Sequence, residues 1–507
     1  MSKHTLWGTV LCLVAAWFGF ANPILHLPIL VLGLPVSLCA LAVHSKSHGQ
    51  IFLRSWLAAS LYFTAVLYWV SIPVHEYGYL PWVVALPCPL LLGLYLGIYP
   101  GIFSLVMASA WKHLSWPGLC LGAWSTWTAL EYLRATLLTG FPWLSLAQAF
   151  APWPVLLQGA AFIGAHGLSG FFAALGVCLY LAPQRPSAWL GVTAGIVLAL
   201  TVGLWHMDRP LAGDRISNTF ALVQGNIDQS RKWSPASQQQ TVQRYLGLSQ
   251  EALDQHGADF LIWPETAMPF YLQEDSKLSA QVRDFCRTYQ VHVLTGAPGY
   301  TVLPEEHAQR VVYHNMASLI DPRGDVQDVY SKQHLVPFGE YVPFGHLFPF
   351  VNTLVAGVGN FRAGAQDQPI VSQDLAIGLL ICYEVIFPGL VHTRVQDGAN
   401  LLVNISNDAW FGHSSGAWQH FNQAVLRALE QGRYLLRSTN TGISAVIDPH
   451  GLVADQGPWF QPHIIALDTV RSIEQRTFFS RYRTAVSVAF IALALLACLW
   501  AARKPRT

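Results

Sequence analysis

Three residues of this 507-residue chain combine side chain and setting in a way that could carry covalent chemistry: Glu265, Lys332 and Cys382. Cys382 closes the apolar run IGLLICYE, Glu265 closes DFLIWPE, and Lys332 follows a β-like run in YSKQHLVPFGEYVP. A thiol is mostly protonated near neutral pH, and the thiolate is the nucleophile. A carboxylate within reach can take the thiol proton and later return it to a leaving group. A buried ammonium, assisted by a backbone N–H, can hold the oxyanion of a tetrahedral intermediate. The three together suffice for acyl transfer through a thioester without a metal or cofactor. Taken singly, each has a plainer reading: a buried structural thiol, a loop or cap carboxylate, a solvated ammonium.

The elements that must position them lie between residues 214 and 470. Short β-rich runs cover 219–227, 259–265, 291–299, 311–321, 377–384, 401–407 and 442–449, and helical patterns cover about 236–255, 276–289 and 417–437. Interspersed strands and helices predict an α/β domain with layered sheets. Such folds assemble their sites at strand ends, where all three residues fall.

The rest of the chain is built for another solvent. Composition is 53% hydrophobic and 11% charged, against a usual charged share of about a quarter. The few charges before residue 207 are Lys3, Lys46, Arg54, Lys112, Arg134, Arg185, Glu76 and Glu131. A spanning helix needs about 20 mostly apolar residues. Seven such runs precede residue 207, at about 5–22, 24–43, 52–73, 80–111, 116–138, 155–183 and 187–206, and an eighth covers 484–501. The expected organisation is a seven-span domain over 1–206, a water-soluble domain over 214–470 and an eighth span. Lys3, Lys46 with Arg54, Lys112, Arg185 and the tail Arg503, Lys504 and Arg506 alternate with loops near 74–79 and 139–154 that hold no Lys or Arg. The positive-inside rule then puts both termini in the cytoplasm and 207–481 outside, in the periplasm of a two-membrane cell. Glu131 and Arg134, at i, i+3 in the fifth run, read as a structural pair, and His166 as a packing or hydrogen-bonding residue. Formal net charge is +1, and no basic tract points to nucleic acid. Six of the eight cysteines lie in apolar runs, and neither Cys286 nor Cys382 has a reason to be paired.

The segments IWPE, YxKxxLVPFGEYVP, ICYE and NxSNDAWFG resemble the carbon–nitrogen hydrolase (nitrilase) superfamily. Its Glu–Lys–Cys triad maps onto Glu265, Lys332 and Cys382. With seven spans before and one after, the whole chain is similar to the superfamily's membrane branch, the apolipoprotein N-acyltransferase family of the bacterial inner membrane. The resemblance implies a multi-span α-helical membrane domain plus an α/β nitrilase-like (αββα sandwich) extracytoplasmic domain. It implies a phospholipid acyl donor, phosphatidylethanolamine, a diacylated apolipoprotein acceptor and no cofactor. It further implies that Glu340 orients Lys332 or shares protons with Glu265, and that Tyr383 and Glu384 support the nucleophile, the Tyr383 N–H at the oxyanion. Trp143, Trp233 and Trp410 resemble tryptophans linked to substrate handling, with interfacial anchoring as the alternative. Phe338, beside Lys332, is a further candidate substrate contact and is expected against the domain's core, and the phenylalanine-rich stretch 344–350 is expected to form a flap that dips into the membrane. Two other readings stay open: a membrane-anchored amidase or nitrile hydrolase that uses water, and a binding protein with an inactive domain.

Overall fold

The computed structural model describes residues 3–229, 232–304, 310–341, 361–365 and 368–501. The expected flap at 344–350 lies outside the described residues. Two six-stranded sheets stack face to face. One runs, in spatial order, His463–Leu467, Phe220–Gln224, Phe260–Ile262, His292–Val302, Val311–Ile320 and Val326–Ser331. The other runs Val453–Gln456, Ala445–Ile447, Leu435–Thr439, Leu401–Ser406, Leu375–Ile381 and Ile370–Ser372. In each sheet three central strands are parallel, as Phe220–Gln224, Phe260–Ile262 and His292–Val302 are, and antiparallel strands flank them.

Period-2 alternation sorts the side chains into layers. Phe220, Leu222, Ile262, Leu379, Ile381 and Val403 fill the space between the sheets. Ala221, Val223 and Leu261 turn outward under the helices Pro235–His256 and Lys277–Tyr289. Leu380 and Leu402 turn outward under Pro388–Gln396 and Ser415–Gln431. The result is the expected αββα sandwich.

The helix expected at 417–437 is a correction. It ends at Gln431, because Gly432 (φ +64°) caps it in the left-handed conformation and directs the chain into the strand Leu435–Thr439. Helix Ser415–Gln431 is also buried along its whole length, since its far side docks on the membrane half. There Gln419 accepts from the indole N–H of Trp69 (3.0 Å) and of Trp143 (2.9 Å). Gln423 donates to the Pro142 carbonyl at 3.1 Å, and Glu430 accepts from the Ala165 N–H at 2.8 Å.

Helices stand at all eight expected span positions, but they differ in length. Among the described residues four are long and apolar enough to cross a membrane: Trp82–Ala110, Ala160–Leu181, Ala188–Met207 and Phe478–Trp500. His48–Val66 with Tyr68–Glu76 makes a fifth if the pair, bent by 61°, counts as one span, and Thr5–Gly19 and Pro28–Val43 are shorter. Leu190, Val197 and Leu204 on Ala188–Met207, and Val488, Leu495 and Leu499 on Phe478–Ala501, are exposed. Apolar faces of that length need lipid to cover them. In helix Trp116–Arg134, Glu131 accepts from Trp127 (2.9 Å) and lies 3.2 Å from His166 Nδ1 and 3.8 Å from Arg134. Arg134 in turn donates to the Trp143 carbonyl at 2.7 Å. The charged pair is structural, as expected, and it holds the segment that meets the catalytic-type domain.

Candidate active site

Glu265 leaves the end of the parallel strand Phe260–Ile262, and its neighbour strand must approach closely to fix it. Gly296 permits this: a Cβ there would lie 2.7 Å from Glu265 Cα and 2.5 Å from the Thr266 nitrogen. Glu265 Oε1 accepts from Asn315 at 2.8 Å, and Oε2 accepts from the Asn407 backbone N–H at 2.9 Å. Gly296→Ala is therefore expected to push the carboxylate off its position. A displacement of about 1 Å can cost on the order of 10²-fold in rate. Initial rates of the purified variant, beside its melting curve, check this; unchanged rates would show that the strand gives way instead.

Lys332 follows strand Val326–Ser331 and is buried between two carboxylates. Its Nζ lies 3.0 Å from Glu340 Oε1 and 3.5 Å from Glu265 Oε1. Burial alone would push its pKa down, but Glu340 and then Glu265 outweigh burial and hold it above the ordinary lysine value. Asn315 donates to Glu340 as well (2.8 Å), and Glu340 Oε2 accepts from the Val336 N–H at 2.8 Å. Glu340 thus sits where an orienting partner of Lys332 must.

Cys382 ends strand Leu375–Ile381 with φ +52°, a left-handed conformation that L-residues with a side chain rarely adopt. Such local strain persists only where the surroundings enforce it. Here the Cys382 carbonyl accepts from His420 Nε2 at 3.1 Å and from Asn404 at 3.4 Å. His420 Nδ1 lies 3.0 Å from Asp408, which pairs with Arg437 at 2.8 Å. Burial, then the Glu265 carboxylate, push the thiol's pKa up, and Lys332 opposes them without cancelling them. The resting group is therefore a neutral thiol that needs a base.

Glu384 braces the triad through the backbone. Its carboxylate, fully buried, accepts from Tyr330 Oη (2.8 Å) and from the backbone N–H groups of Gln333 (2.7 Å), His334 (3.1 Å) and Ile381 (2.7 Å). The chain just after Lys332 is thereby tied to the residue just before Cys382. Tyr383 is buried and stacks toward Trp143, ring centroids 6.5 Å apart. Trp143 also stacks on His420 at 5.6 Å, so the membrane half forms the wall beside the thiol. Trp410 packs on Tyr77 at 4.4 Å. Two expected residues are not gathered in: Trp233 is 52% exposed, and Phe338 is 56% exposed with φ +61°. The expectation that Phe338 packs on the core is thus corrected, since its left-handed backbone turns it outward. Sequence reasoning missed Asn315, Asn407 and His420. A lone amide in the β-run VVYHNMASLI was the available signal for Asn315.

The four-layer sandwich places the chain in the carbon–nitrogen hydrolase superfamily by fold, and residues 219–475 match the family model Carbon-nitrogen hydrolase. Residues 12–179 match a second one, Apolipoprotein N-acyltransferase N-terminal domain. Curated relatives named apolipoprotein N-acyltransferase include one from Geobacter metallireducens, 37% identical over 475 residues, covering 92% of this chain and 89% of the relative. Others are from Nitrosomonas europaea, 32% identical with 96% and 95% covered, and Vibrio parahaemolyticus, 30% identical with 94% and 93% covered. The chain belongs to the apolipoprotein N-acyltransferase family.

Proposed function

We propose that this protein moves an acyl chain from a membrane phospholipid, through a thioester on Cys382, to the N-terminal α-amine of a diacylglyceryl-cysteine lipoprotein. The observation that carries this reading is the buried Lys332 ammonium 3.5 Å from the Glu265 carboxylate, with both charges acting on the buried Cys382 thiol, whose neighbour Tyr383 packs against the membrane half. In the first step Glu265 takes the thiol proton and sulfur attacks the ester carbonyl. Lys332, aided by the Tyr383 N–H, holds the oxyanion. The C–O bond breaks, and Glu265 returns the proton to the leaving lysophospholipid oxygen. In the second step the acceptor amine attacks the thioester and Glu265 takes an N–H proton. The C–S bond then breaks, and the Cys382 thiolate is reprotonated.

The donor in this reading is phosphatidylethanolamine. Eight spans hold both termini in the cytoplasm of a bacterial inner membrane, with 214–470 in the periplasm. The basic loops around Lys46, Lys112 and Arg185 support this orientation. The test incubates purified full-length protein with phosphatidylethanolamine and a diacylglyceryl-cysteine lipopeptide. The expected result is a lipopeptide heavier by one acyl chain and an equal yield of lysophospholipid. Release of free fatty acid alone, with the lipopeptide unchanged, would mark a hydrolase instead. Reporter fusions after residues 46 and 113 should report cytoplasm and those after 76 and 212 the periplasm; the inverse would overturn the topology.

A further inference from the structure

Among the described residues two lysines are buried, Lys332 and Lys232, and the mechanism above uses only the first. Lys232 is buried, and its Nζ has no hydrogen-bond partner among the described residues. An ammonium removed from water is costly unless it is paired. The nearby carboxylate that it senses is Glu265. That group is already engaged: Oε1 faces Asn315 and Lys332, and Oε2 faces the Asn407 N–H. Burial pulls the pKa of Lys232 down to about 8, with Glu265 opposing, so the ammonium is still the main form at neutral pH.

Lys232 lines a pocket of about 450 Å³ whose other walls include Asn226, Asp228, Gln240, Thr241 and Arg244. The lining is almost entirely of hydrogen-bonding groups, with two cations against one carboxylate. Such a lining suits a small anion rather than an acyl chain. The pocket is fixed relative to the triad. Asn407, whose N–H holds Glu265, donates from its side chain to Gln229 at 2.6 Å. Asn440 holds both the Ile227 N–H and its carbonyl at 2.9 Å. The rim lies beside the membrane half, where Tyr77 senses the charge of Asp228 and donates to the Ala409 carbonyl at 3.1 Å.

We propose that Lys232 binds the phosphodiester of the acyl donor in this polar pocket beside Glu265. The assignment rests on the acyl-transfer reading and adds to it how the headgroup is held. In a glycerophospholipid a short glycerol arm joins phosphate to ester. A phosphate on Lys232 therefore anchors the ester near Cys382 and completes the pairing of a cation that the fold leaves open. Lys232 also contributes selectivity, because an ester without phosphate gains nothing from it.

The test compares two acyl donors with purified full-length Lys232→Met and Lys232→Arg. One is phosphatidylethanolamine in mixed micelles, the other a p-nitrophenyl ester, which has no phosphate. The acyl mass on Cys382 is followed in time by intact mass spectrometry. A lost hydrogen bond to a charged group corresponds to about 10- to 100-fold. The half-saturating concentration of phospholipid should rise by that factor in Lys232→Met. The ratio of phospholipid to p-nitrophenyl ester rates should fall with it, and Lys232→Arg should recover part of the loss. An equal loss with both donors, at an unchanged melting temperature, would overturn the assignment and make Lys232 a charge that tunes Glu265. No loss with either would also overturn it. If the wild type forms no thioester from phospholipid yet does so from the p-nitrophenyl ester, the proposed function itself fails, a result distinct from both.

Discussion

Cys382→Ala is expected to abolish the acyl-enzyme and, with it, turnover. In wild-type protein incubated with phospholipid alone, one acyl mass should appear on the peptide that carries Cys382 and should be removed by hydroxylamine, as thioesters are. Cys286 is the internal control: it too is buried in the soluble domain, but it lies on helix Lys277–Tyr289, in the outer core layer rather than at the site. Cys286→Ala should keep the adduct. Loss of the nucleophile in a unit that works through a covalent intermediate can cost on the order of 10⁶-fold in turnover. The alanine should not unfold the protein, because the restraints on residue 382 act on its backbone: the carbonyl bonds to His420 and Asn404 and the Ile381 N–H bond to Glu384. The left-handed φ strains alanine no more than cysteine, so only a modest drop in melting temperature, from loss of the buried sulfur, is expected. An adduct on Cys286 alone would remove Cys382 from the mechanism.

What the sequence reveals of this site divides along a physical line. The three reactive residues follow β-like runs, and strand ends are local features, so their convergence could be anticipated. The residues that aim them are set by contacts far apart in the chain. His420 reads as a polar position on an amphipathic helix, yet both of its neighbours that matter, Cys382 and Trp143, come from other layers. Likewise Gln419 and Gln423 look like a solvated face and are instead buried against carbonyls and indoles of the membrane half. In RKW the aromatic residue drew the functional reading, but the fold exposes Trp233 and buries Lys232. Hydropathy also reads straight through a bend: the apolar run at 52–73 predicts one span, and the chain turns by 61° between Val66 and Tyr68.

The interface explains how a thiol in a water-soluble sandwich can meet a lipid. Arg134, paired with Glu131 inside helix Trp116–Arg134, donates to the Trp143 carbonyl. Trp143 in turn stacks toward Tyr383, next to Cys382 in the chain, and on His420, which holds the Cys382 carbonyl. Polar groups within an apolar helix are retained where they have partners to satisfy. Here those partners form one wall of the site, so the membrane half shapes the cleft as well as anchoring it.

Lys332 carries the other large effect, and two substitutions separate its charge from its shape. Its ammonium lies 3.0 Å from Glu340 and 3.5 Å from Glu265, and Asn315 donates to both carboxylates. Lys332→Met leaves the buried Glu265 and the half-buried Glu340 facing each other with no cation between them. Removing one partner of a buried pair costs about 3–5 kcal/mol. Stability should fall, and activity should fall by more than the roughly 10²–10³-fold assigned to one oxyanion donor, because the base is impaired together with the donor. Lys332→Arg keeps the charge but replaces a compact ammonium by a planar fork. It should retain more of the stability than methionine does and still lose about 10²–10³-fold in kcat/KM. The lysine's pKa is raised in the fold, so its stabilising charge is fully present below the ordinary value of about 10.4 and is lost only above it. Wild-type activity should therefore show no alkaline limb from Lys332 between about pH 6 and 9. Titrations of thioester formation and urea melts on the three proteins test this together. Near-normal kcat/KM in Lys332→Arg, or stability equal to wild type in Lys332→Met, would place the ammonium outside the reacting site.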